Sequence, residues 1–552
     1  MKIIIIGGVA GGMAAATRLR RLDESAEIIV LEAGPYVSFS NCGLPYRLGG
    51  VIDDRAAVLP RSPEWFALRF EIDVRVGHRV TSIDPRAATV TVDIAGTGQV
   101  DTLGYDELII ATGATADLPP TLVSDHTFAL RTIDDMDAIA ERLDRPDVRS
   151  VVIVGAGYIG LEAAENVRRR GLDTTLVQRG PQIFPALDPE MVTAVHHELV
   201  EHGITVLTST TVHRVDRTQV TFDDGASIAA DLVIDATGIT PASALAEAAG
   251  LRIGAGGGIR VDGLHRSSDP HIYAIGDVAE KTDHVTGAPT LIALAGLANR
   301  DGRAVADAIA GIGEPTAPAL GTSIIGVFGV TAAAVGWNET RLRAARRPHR
   351  IVHVHPSSHA SFYPGGSALA MKLLIDPDTD LLLGAQVVGR DGVDKRIDVL
   401  AVAMSAGITA SGLKNLELAY APQYGSAKDP VNIAGYVAEN TARALVRTVQ
   451  WHELAGHIAA GASVVDVRTP AEYDSGHIPG ALNVPLDEIR HRMDGIPAGR
   501  VIVHCQVGQR GSTATRILSQ AGRDVTNLDG GYLTWLAGTT TTHQPTMKEA
   551  LV

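Results

Sequence analysis

At 552 residues the chain is too long for one hydrophobic core and is expected to divide into roughly three or four domains. Its composition, 45% hydrophobic and 20% charged, is that of a folded chain in water, and with aromatics at only 4% its cores must be aliphatic. A net charge of -15 argues against nucleic acid as a general partner, and no apolar run approaches the roughly 20 residues of a membrane-spanning helix, so no membrane is expected either.

The two cysteines, Cys42 and Cys505, lie far apart in sequence. That usage excludes a disulfide framework and a cysteine-rich metal site, and no metal is expected. It fits reactive thiols in a reducing compartment. The first residues run directly into a strand with no signal-peptide layout, so the expected location is cytoplasmic.

Ile3–Ile6 reads as a buried parallel strand, followed by Gly7-Gly8-Val9-Ala10-Gly11-Gly12, a helical run from Met13 to Leu22, and a second strand, Glu27–Leu31, ending at Glu32. Strand, Gly-rich turn, helix, strand and terminal acid make a dinucleotide fold. Backbone N–H groups of Gly7, Gly8, Ala10, Gly11 and Gly12 would approach a pyrophosphate at the helix N-terminus, and Glu32 would accept from ribose hydroxyls. Arg18 and Arg21, three apart, share a face of this helix and are candidates for an anionic substrate, against the plainer reading of a solvated basic face. Next comes Ser38-Phe39-Ser40-Asn41-Cys42-Gly43-Leu44-Pro45-Tyr46, which puts Cys42 at the start of a helix close to a bound flavin. Thiol redox chemistry is expected there. Leu108–Ala111 is another buried strand, ending in Thr112-Gly113.

A second dinucleotide fold follows. The strand Val151–Val154 leads into Gly155-Ala156-Gly157-Tyr158-Ile159-Gly160, a helix from about Leu161 to Arg170, and the strand Asp173–Val177. Two such folds in one chain mean two nucleotides, most economically FAD and a nicotinamide. The ribose-binding acid is replaced here by Gln178, and Arg179 could accommodate a 2′-phosphate, so NADH and NADPH both stay open. Tyr158 and Glu162 are candidates for gating and positioning the nicotinamide, against a packed tyrosine and a solvated glutamate. Leu232–Ala236 with Thr237-Gly238 echoes the earlier Thr-Gly ending and marks the return to the flavin domain. There Ile272–Ile275 runs into Gly276-Asp277-Val278-Ala279 and then an expected helix, with Asp277 placed to accept from the ribityl chain or to cap the helix. Leu291–Ala306 reads as a small-residue helix carrying Asn299 and Arg303.

In this order the motifs resemble the flavin-dependent pyridine nucleotide-disulfide oxidoreductases, and within them the single-cysteine coenzyme A-disulfide reductase branch, whose Ser-Phe-x-Asn-Cys-x-Leu-Pro-Tyr is matched by residues 38 to 46. The resemblance covers roughly residues 1 to 445. It implies that Cys42, with no second cysteine nearby, forms a mixed disulfide or persulfide with substrate. It also implies that Ser38, Asn41, Arg18, Arg21, Asn299 and Arg303 line a coenzyme A channel. Tyr363 and Tyr420 resemble two tyrosines that a partner subunit contributes to the thiol site, where one could protonate a leaving thiolate. The related NADH peroxidases carry a histidine beside the first glycine pair, where this chain has Ala10, which argues against peroxide as main substrate.

Residues 321–445 read as antiparallel strands, among them Ala370–Ile375 and Leu381–Val388, with helices near Asp394–Ala406 and Val431–Thr448. They resemble the family's dimerisation domain, which implies a homodimer. Beyond a short linker, Val464-Val465-Asp466-Val467-Arg468 and Gly476-His477-Ile478-Pro479-Gly480-Ala481 precede the strand Val501–His504, Cys505, and Gln506-Val507-Gly508-Gln509-Arg510 opening a helix. A thiol at a strand end among converging N–H dipoles is stabilised as thiolate, and Arg510 adds positive charge. This segment resembles a rhodanese domain, which implies that Cys505 carries sulfane sulfur and that Asp466 and Arg468 tie the loop region together.

The expected fold class is therefore α/β. Two Rossmann-like domains (FAD, 1–112 plus 246–320; NAD(P), 113–245) precede an α+β dimerisation domain (321–445) and an α/β rhodanese domain (452–552). The expected activity is NAD(P)H-dependent reduction of a small disulfide, persulfide or polysulfide at Cys42, with FAD as cofactor, coenzyme A as a further ligand, and sulfane sulfur handled by Cys505. The alternatives are a dedicated coenzyme A-disulfide reductase with an accessory rhodanese domain, a sulfur-carrier or redox-sensing protein, and an NAD(P)H oxidase or peroxidase.

Overall fold

The computed structural model describes residues 1–542; residues 543–552, the end of the expected rhodanese segment, lie outside the described residues. The chain forms two compact units, Met1–Leu176 with Thr211–Gly321, and Val177–Thr210 with the described residues from Thr322 onward.

In the first unit a parallel sheet runs in the order Ile272–Ala274, Glu107–Ile110, Lys2–Ile6, Glu27–Glu32, Asp73–Val76. Successive side chains of Lys2–Ile6 serve two cores. Ile3 and Ile5 pack with Met13, Ala16, Leu19 and Val305, while Ile4 and Ile6 pack with Val90, Val92 and Tyr105. A strand covered on both faces must be apolar throughout, and each such buried side chain contributes about 1.5–3 kcal/mol. The helix after the first Gly-rich turn is Ala10–Leu22, three residues longer than expected, because Gly11 and Gly12 are helical. Glycine inside a helix costs about 1 kcal/mol. Here it lets the helix Ala295–Ile309 approach so closely that a side chain on Gly302 would run into the carbonyl of Gly11.

That second helix begins at Ala295, not Leu291; Pro289–Thr290 is extended and pairs with Lys281–Thr282. The helix expected after Gly276-Asp277 is absent as well. Gly276–Val278 is one 3-10 turn, and the chain then continues into the strand Lys281–Thr282. The carbonyls a helix would have used are already taken. Buried Lys281 donates to Gly276 O (2.7 Å) and Ala279 O (3.2 Å), and Ile259 N–H donates to Val278 O (2.8 Å).

The second dinucleotide motif in this unit lies on the neighbouring strands Ser150–Val154, Leu232–Asp235 and Thr127–Ala129. Directly after the two Thr-Gly turns, Ala114–Ala116 and Ile239–Pro241 pair as an antiparallel ribbon. The repeated Thr-Gly thus marks the two crossings of the chain between the sheets.

The second unit holds two sheets. One is antiparallel, in the order Ser323–Val327, Val330–Gly336, Leu382–Gly389, Leu369–Ile375, Arg350–Val354, with the helices Val393–Ser405 and Pro430–Ala442. The latter helix ends six residues short of the expected Thr448. Ala444 turns left-handed (φ 52°), and Leu445 N–H folds back to Asn440 O (2.9 Å). Thr448–Val449 then becomes the edge strand of a parallel sheet ordered Thr448–Val449, Val525–Leu528, Val501–His504, Ser463–Asp466, Leu482–Asn483. Its two faces are covered by separate aliphatic cores, one of which includes Cys505.

Candidate functional site

Both Gly-rich turns are shaped for a dinucleotide. Gly7 sits at φ 105°, and a Cβ there would strike the Ala111 carbonyl, so only glycine fits. The helix Ala10–Leu22 has no side-chain cap at Val9, so no side chain occupies the N-terminal position where a phosphate would bind. Glu32 accepts from Gly8 N–H through Oε2 and from Gly34 N–H through Oε1, both 2.8 Å, and each oxygen keeps a lone pair for a ribose hydroxyl. In the second motif the helix Tyr158–Arg169 starts at Gly157, again without a side-chain cap, and the space beside Gly157 is open. Gly155 and Gly160 pack tightly, while Tyr158 and Ile159 are half-buried. These residues fit FAD at the first turn and a nicotinamide nucleotide at the second. Around them, Thr112 donates to Ala242 O (2.9 Å), Gly113 O accepts from Ala242 N–H (3.0 Å), and Gly238 O accepts from Asp117 N–H (3.1 Å). Ala279 is buried on the sheet side of the Gly-Asp turn. Asp277 faces Arg131, whose Nη2 donates to Oδ2 at 3.1 Å while its Nε donates to Ala114 O at 2.6 Å. Arg131 carries no local sequence signal and finds Asp277 far along the chain, whereas Lys281 turns back on carbonyls a few residues before it. In the second unit Gln178 and Arg179 follow directly on strand Asp173–Val177, and Gln178 N–H donates to Leu207 O (2.8 Å).

Cys42 is exposed, in a 3-10 turn Asn41–Gly43 that leads into the helix Leu44–Leu48. Its N–H is held by the Asn41 side-chain oxygen at 3.1 Å. Upstream, Ser38 has a left-handed backbone (φ 53°), an unusual conformation for a non-glycine residue, fixed by its N–H donating to Gly8 O (2.8 Å). The Cys42 stretch is thereby tied to the first Gly-rich turn. At its other end Tyr46 Oη donates to Glu162 Oε1 at 2.8 Å. Burial raises the Glu162 carboxyl above its usual range, and the Tyr46 hydroxyl partly offsets this. Burial and then Glu162 keep the Tyr46 phenol protonated. Glu162 is therefore no solvated side chain, and its partner is Tyr46, the final residue of the Cys42 motif, in a role the sequence does not disclose.

The arginines proposed for a shared anion site diverge. Arg18 is bound to Asp307 (2.7 Å), whereas Arg21 lies over the Phe70 ring (5.1 Å). Three residues is 60° short of a full helical turn, enough to send the two to different neighbours. Arg303 is exposed and 3.8 Å from the same Asp307, and Asn299 is exposed with its amide on Ala295 O (3.0 Å). Arg18 and Arg303 thus meet at one carboxylate, and Arg21 and Asn299 stand apart from it.

Cys505 has the opposite setting: it is fully buried at the end of strand Val501–His504. The loop beyond it turns at Gly508 (φ 90°) into the helix Gln509–Gln520, with Val507 half-buried. The segment Gly530–Leu533 closes on the loop. Tyr532 N–H donates to Cys505 O (2.8 Å) and Leu533 N–H to Gln506 O (3.0 Å), and Gly531 lies so near the Cys505 carbonyl that a side chain there would collide with it. Arg468, 1% exposed, forks onto Asp466 (2.6–3.0 Å), donates to Gln506 Oε1 (2.9 Å), and lies 4.3 Å from the centre of the Tyr532 ring. Arg510 donates to both oxygens of Glu472, at 2.8 and 2.6 Å. That bond holds Glu472 low, at about 2, against burial; Arg510 is kept charged first by Glu472 and further by the neighbouring Cys505. His504, beside the thiol, is pulled by burial to about 4 and is neutral at pH 7. The sequence alone assigns no role to Glu472, although it belongs to the rhodanese-like pattern, or to His504.

In the same unit Tyr363 and Tyr420 are 43% and 49% exposed. Their loops meet where Ala360 N–H donates to Gly425 O (2.9 Å), and Phe362 and Tyr424 are still more exposed beside them. Asp188, Glu190 and Glu339 converge as a metal site would, but the buried Lys372 ammonium occupies the centre, 2.9, 2.5 and 2.6 Å from them. Glu190 also receives His353 Nε2 (3.0 Å), whose Nδ1 binds Asp529 (2.9 Å).

Residues 1–296 match the pyridine nucleotide-disulphide oxidoreductase family, residues 322–429 its dimerisation domain, and residues 450–538 the rhodanese-like domain. The chain is 36% identical over 440 residues to the coenzyme A disulfide reductase of Staphylococcus haemolyticus, covering 80% of this chain and 99% of the relative. Among solved structures it is similar to reduced CoADR-RHD from Bacillus anthracis (42% identity, TM-score 0.96, 97% of this chain and 98% of the other). A NAD-dependent persulfide reductase from A. fulgidus is similar as well (36% identity, TM-score 0.91, 97% and 100%).

Proposed function

The chain belongs to the pyridine nucleotide-disulphide oxidoreductases, and from that premise we propose that it reduces the sulfur–sulfur bond of a persulfide, polysulfide or coenzyme A disulfide at Cys42. FAD and NAD(P)H are its cofactors, and the bound flavin supplies the two-electron link between nicotinamide and sulfur. The observation that carries the reading is Cys42 itself. It is an exposed thiol at the head of a short helix, tied through Ser38 to the dinucleotide turn, in a unit with no other cysteine.

A lone thiol can break a disulfide only by forming a bond to one half of the substrate. The Cys42 thiolate attacks one sulfur, the Cys42–substrate disulfide forms, and the other half leaves as thiolate or hydrosulfide. Asn41 fixes the backbone of the nucleophile. The net change is one substrate S–S bond and one NAD(P)H and proton consumed, giving two thiol groups and NAD(P)⁺. We assign Arg18, Arg21, Ser38, Asn41, Asn299 and Arg303 to the coenzyme A side of the substrate, with Arg18 and Arg303 offering the positive charge its phosphates need. Tyr363 and Tyr420, reaching the thiol of a partner subunit, would protonate the leaving thiolate. Their exposure, with that of Phe362 and Tyr424, supports a homodimer that covers them. Cys505 supplies or receives sulfane sulfur. Two free cysteines support a reducing, cytoplasmic setting, and no helix among the described residues is long and apolar enough to cross a membrane.

The test is steady-state oxidation of NADH and of NADPH with coenzyme A persulfide, polysulfide and coenzyme A disulfide, for wild type, Cys42→Ser and Cys505→Ser. Rapid turnover of persulfides that disappears in Cys42→Ser supports the proposal. Turnover of coenzyme A disulfide alone, indifferent to Cys505→Ser, would leave a dedicated disulfide reductase.

A further inference from the structure

We propose that the sulfur donor of the Cys505 site is an organic persulfide, bringing at most one negative charge to its reacting sulfur atoms, and that the Glu472–Arg510 ion pair excludes the thiosulfate dianion. This rests on the reading of Cys505 as a sulfur carrier and names its donor.

The loop Cys505–Arg510 contains one cation, Arg510, between the amides Gln506 and Gln509. Arg510 is close enough to Cys505 for the thiol to favour its charge, and its side chain is 35% exposed. Its charge is already answered: both terminal nitrogens are bonded to Glu472 at 2.8 and 2.6 Å. Glu472 is itself locked facing the loop, because Thr469 donates to its Oε2 through both N–H and hydroxyl, each at 2.9 Å. Among the described residues, no second free cation is recorded bonding to this loop. Arg468 is 1% exposed, engaged by Asp466, Gln506 and the Gly476 carbonyl, and covered by Tyr532; His504 is buried and uncharged. The remaining positive influence is the partial charge at the N-terminus of Gln509–Gln520, which suits one sulfur anion. Thiosulfate would add two charges to the thiolate's own, in a mouth whose fixed charges cancel.

An alkyl persulfide meets no such barrier. The Cys505 thiolate attacks the outer sulfur of R–S–SH; the Cys505–sulfur bond forms, the R–S–S bond breaks, the outer sulfur keeps its proton, and R–S⁻ leaves.

The experiment uses the full-length, FAD-loaded protein with cyanide as acceptor and thiocyanate as readout. Donors are N-acetylcysteamine persulfide, uncharged away from its sulfur, and thiosulfate; Cys505→Ser sets the uncatalysed background. Wild type is expected to favour the persulfide by about 100-fold or more in kcat/KM. Glu472→Gln keeps an acceptor for Thr469 but frees Arg510, and should raise the thiosulfate-to-persulfide ratio about tenfold. Gln509→Arg adds a cation at an exposed loop position without touching the ion pair, and should move the ratio the same way even where Glu472→Gln folds poorly. Equal use of both donors by wild type, or an unchanged ratio in both variants, overturns the proposal. Thiocyanate formation from neither donor overturns instead the premise that Cys505 carries sulfur.

Discussion

The two cysteines occupy opposite kinds of environment. Cys42 is exposed, in a three-residue turn, with one side-chain hydrogen bond to its backbone. Cys505 is wholly buried, beneath a loop fixed by two arginine–carboxylate pairs and by backbone bonds from a second segment. A thiol that must meet a bulky disulfide and cycle through a mixed disulfide needs access, so little is built over it. A thiol that holds one sulfur atom among N–H dipoles needs its loop preorganised, and the fold encloses it with buried polar groups whose loss is expensive.

The sharpest way to break this contrast is to remove the exposed thiol. Cys42→Ser should lower NAD(P)H-dependent coenzyme A disulfide reduction by about 10³-fold or more while leaving the fold and thiocyanate formation at Cys505 intact. Parallel loss of both activities would show that the two thiols act as one centre. Next is the buried pair. Arg468→Met strands Asp466, 0% exposed, as an uncompensated charge, a loss of about 3–5 kcal/mol. Thermal unfolding should reveal it, with thiocyanate formation lost and disulfide reduction kept. If Arg468→Met melts with wild type, the preorganisation argued for Cys505 is wrong.

The same contrast governs what the sequence discloses. The Gly-rich turns are legible because steric exclusion at positions such as Gly7 leaves one residue type. Cys42 and Cys505 are legible because they are the chain's two cysteines at motif positions. The groups that tune each site are not: Tyr46 meets Glu162, Arg131 meets Asp277, and Arg510 meets Glu472 across long sequence separations that leave no periodic trace. The helix expected after Asp277 fails for a related reason. Lys281, a few residues on, is buried and takes carbonyls that local propensity assigns to a helix. Arg18 and Arg21 look equivalent on a helical wheel, and only the fold separates them, through Asp307 and Phe70.

A smaller effect probes the support of the buried thiol from behind. His353 binds Asp529, two residues before the Gly531 that abuts the Cys505 loop. Burial opposes its charge, but Asp529 and Glu190 more than compensate and push it up to about 9. Lys372 lies on the far side of Glu190, and Gln450 donates to Asp529. Because the folded pKa is raised, its stabilisation is complete below the usual histidine value of about 6.5 and is lost as pH climbs through about 9, a change of order 3 kcal/mol. Unfolding measured from pH 6 to 10 should show this decline in wild type and a much flatter profile in His353→Gln. Matching profiles would mean that His353 is neutral in the native state.

The smallest expected effect lies on the exposed side. Tyr46→Phe removes the hydroxyl that holds the Cys42 helix to Glu162, about 1 kcal/mol for a half-buried bond to a carboxylate. Glu162 is raised by burial, so the ionised form weakens the fold as pH rises from its unfolded value through its folded one. Tyr46 lowers that folded value; without it the shift grows and the weakening extends to higher pH. The variant should therefore lie close to wild type near pH 4 and fall behind near pH 8. Its disulfide reduction should also suffer more at pH 8 than at pH 6, because the turn carrying Cys42 loses its anchor as Glu162 ionises. An equal deficit at every pH would reduce the Tyr46 hydroxyl to neutral packing. The openness of Cys42 would then depend on its own turn and Asn41 alone.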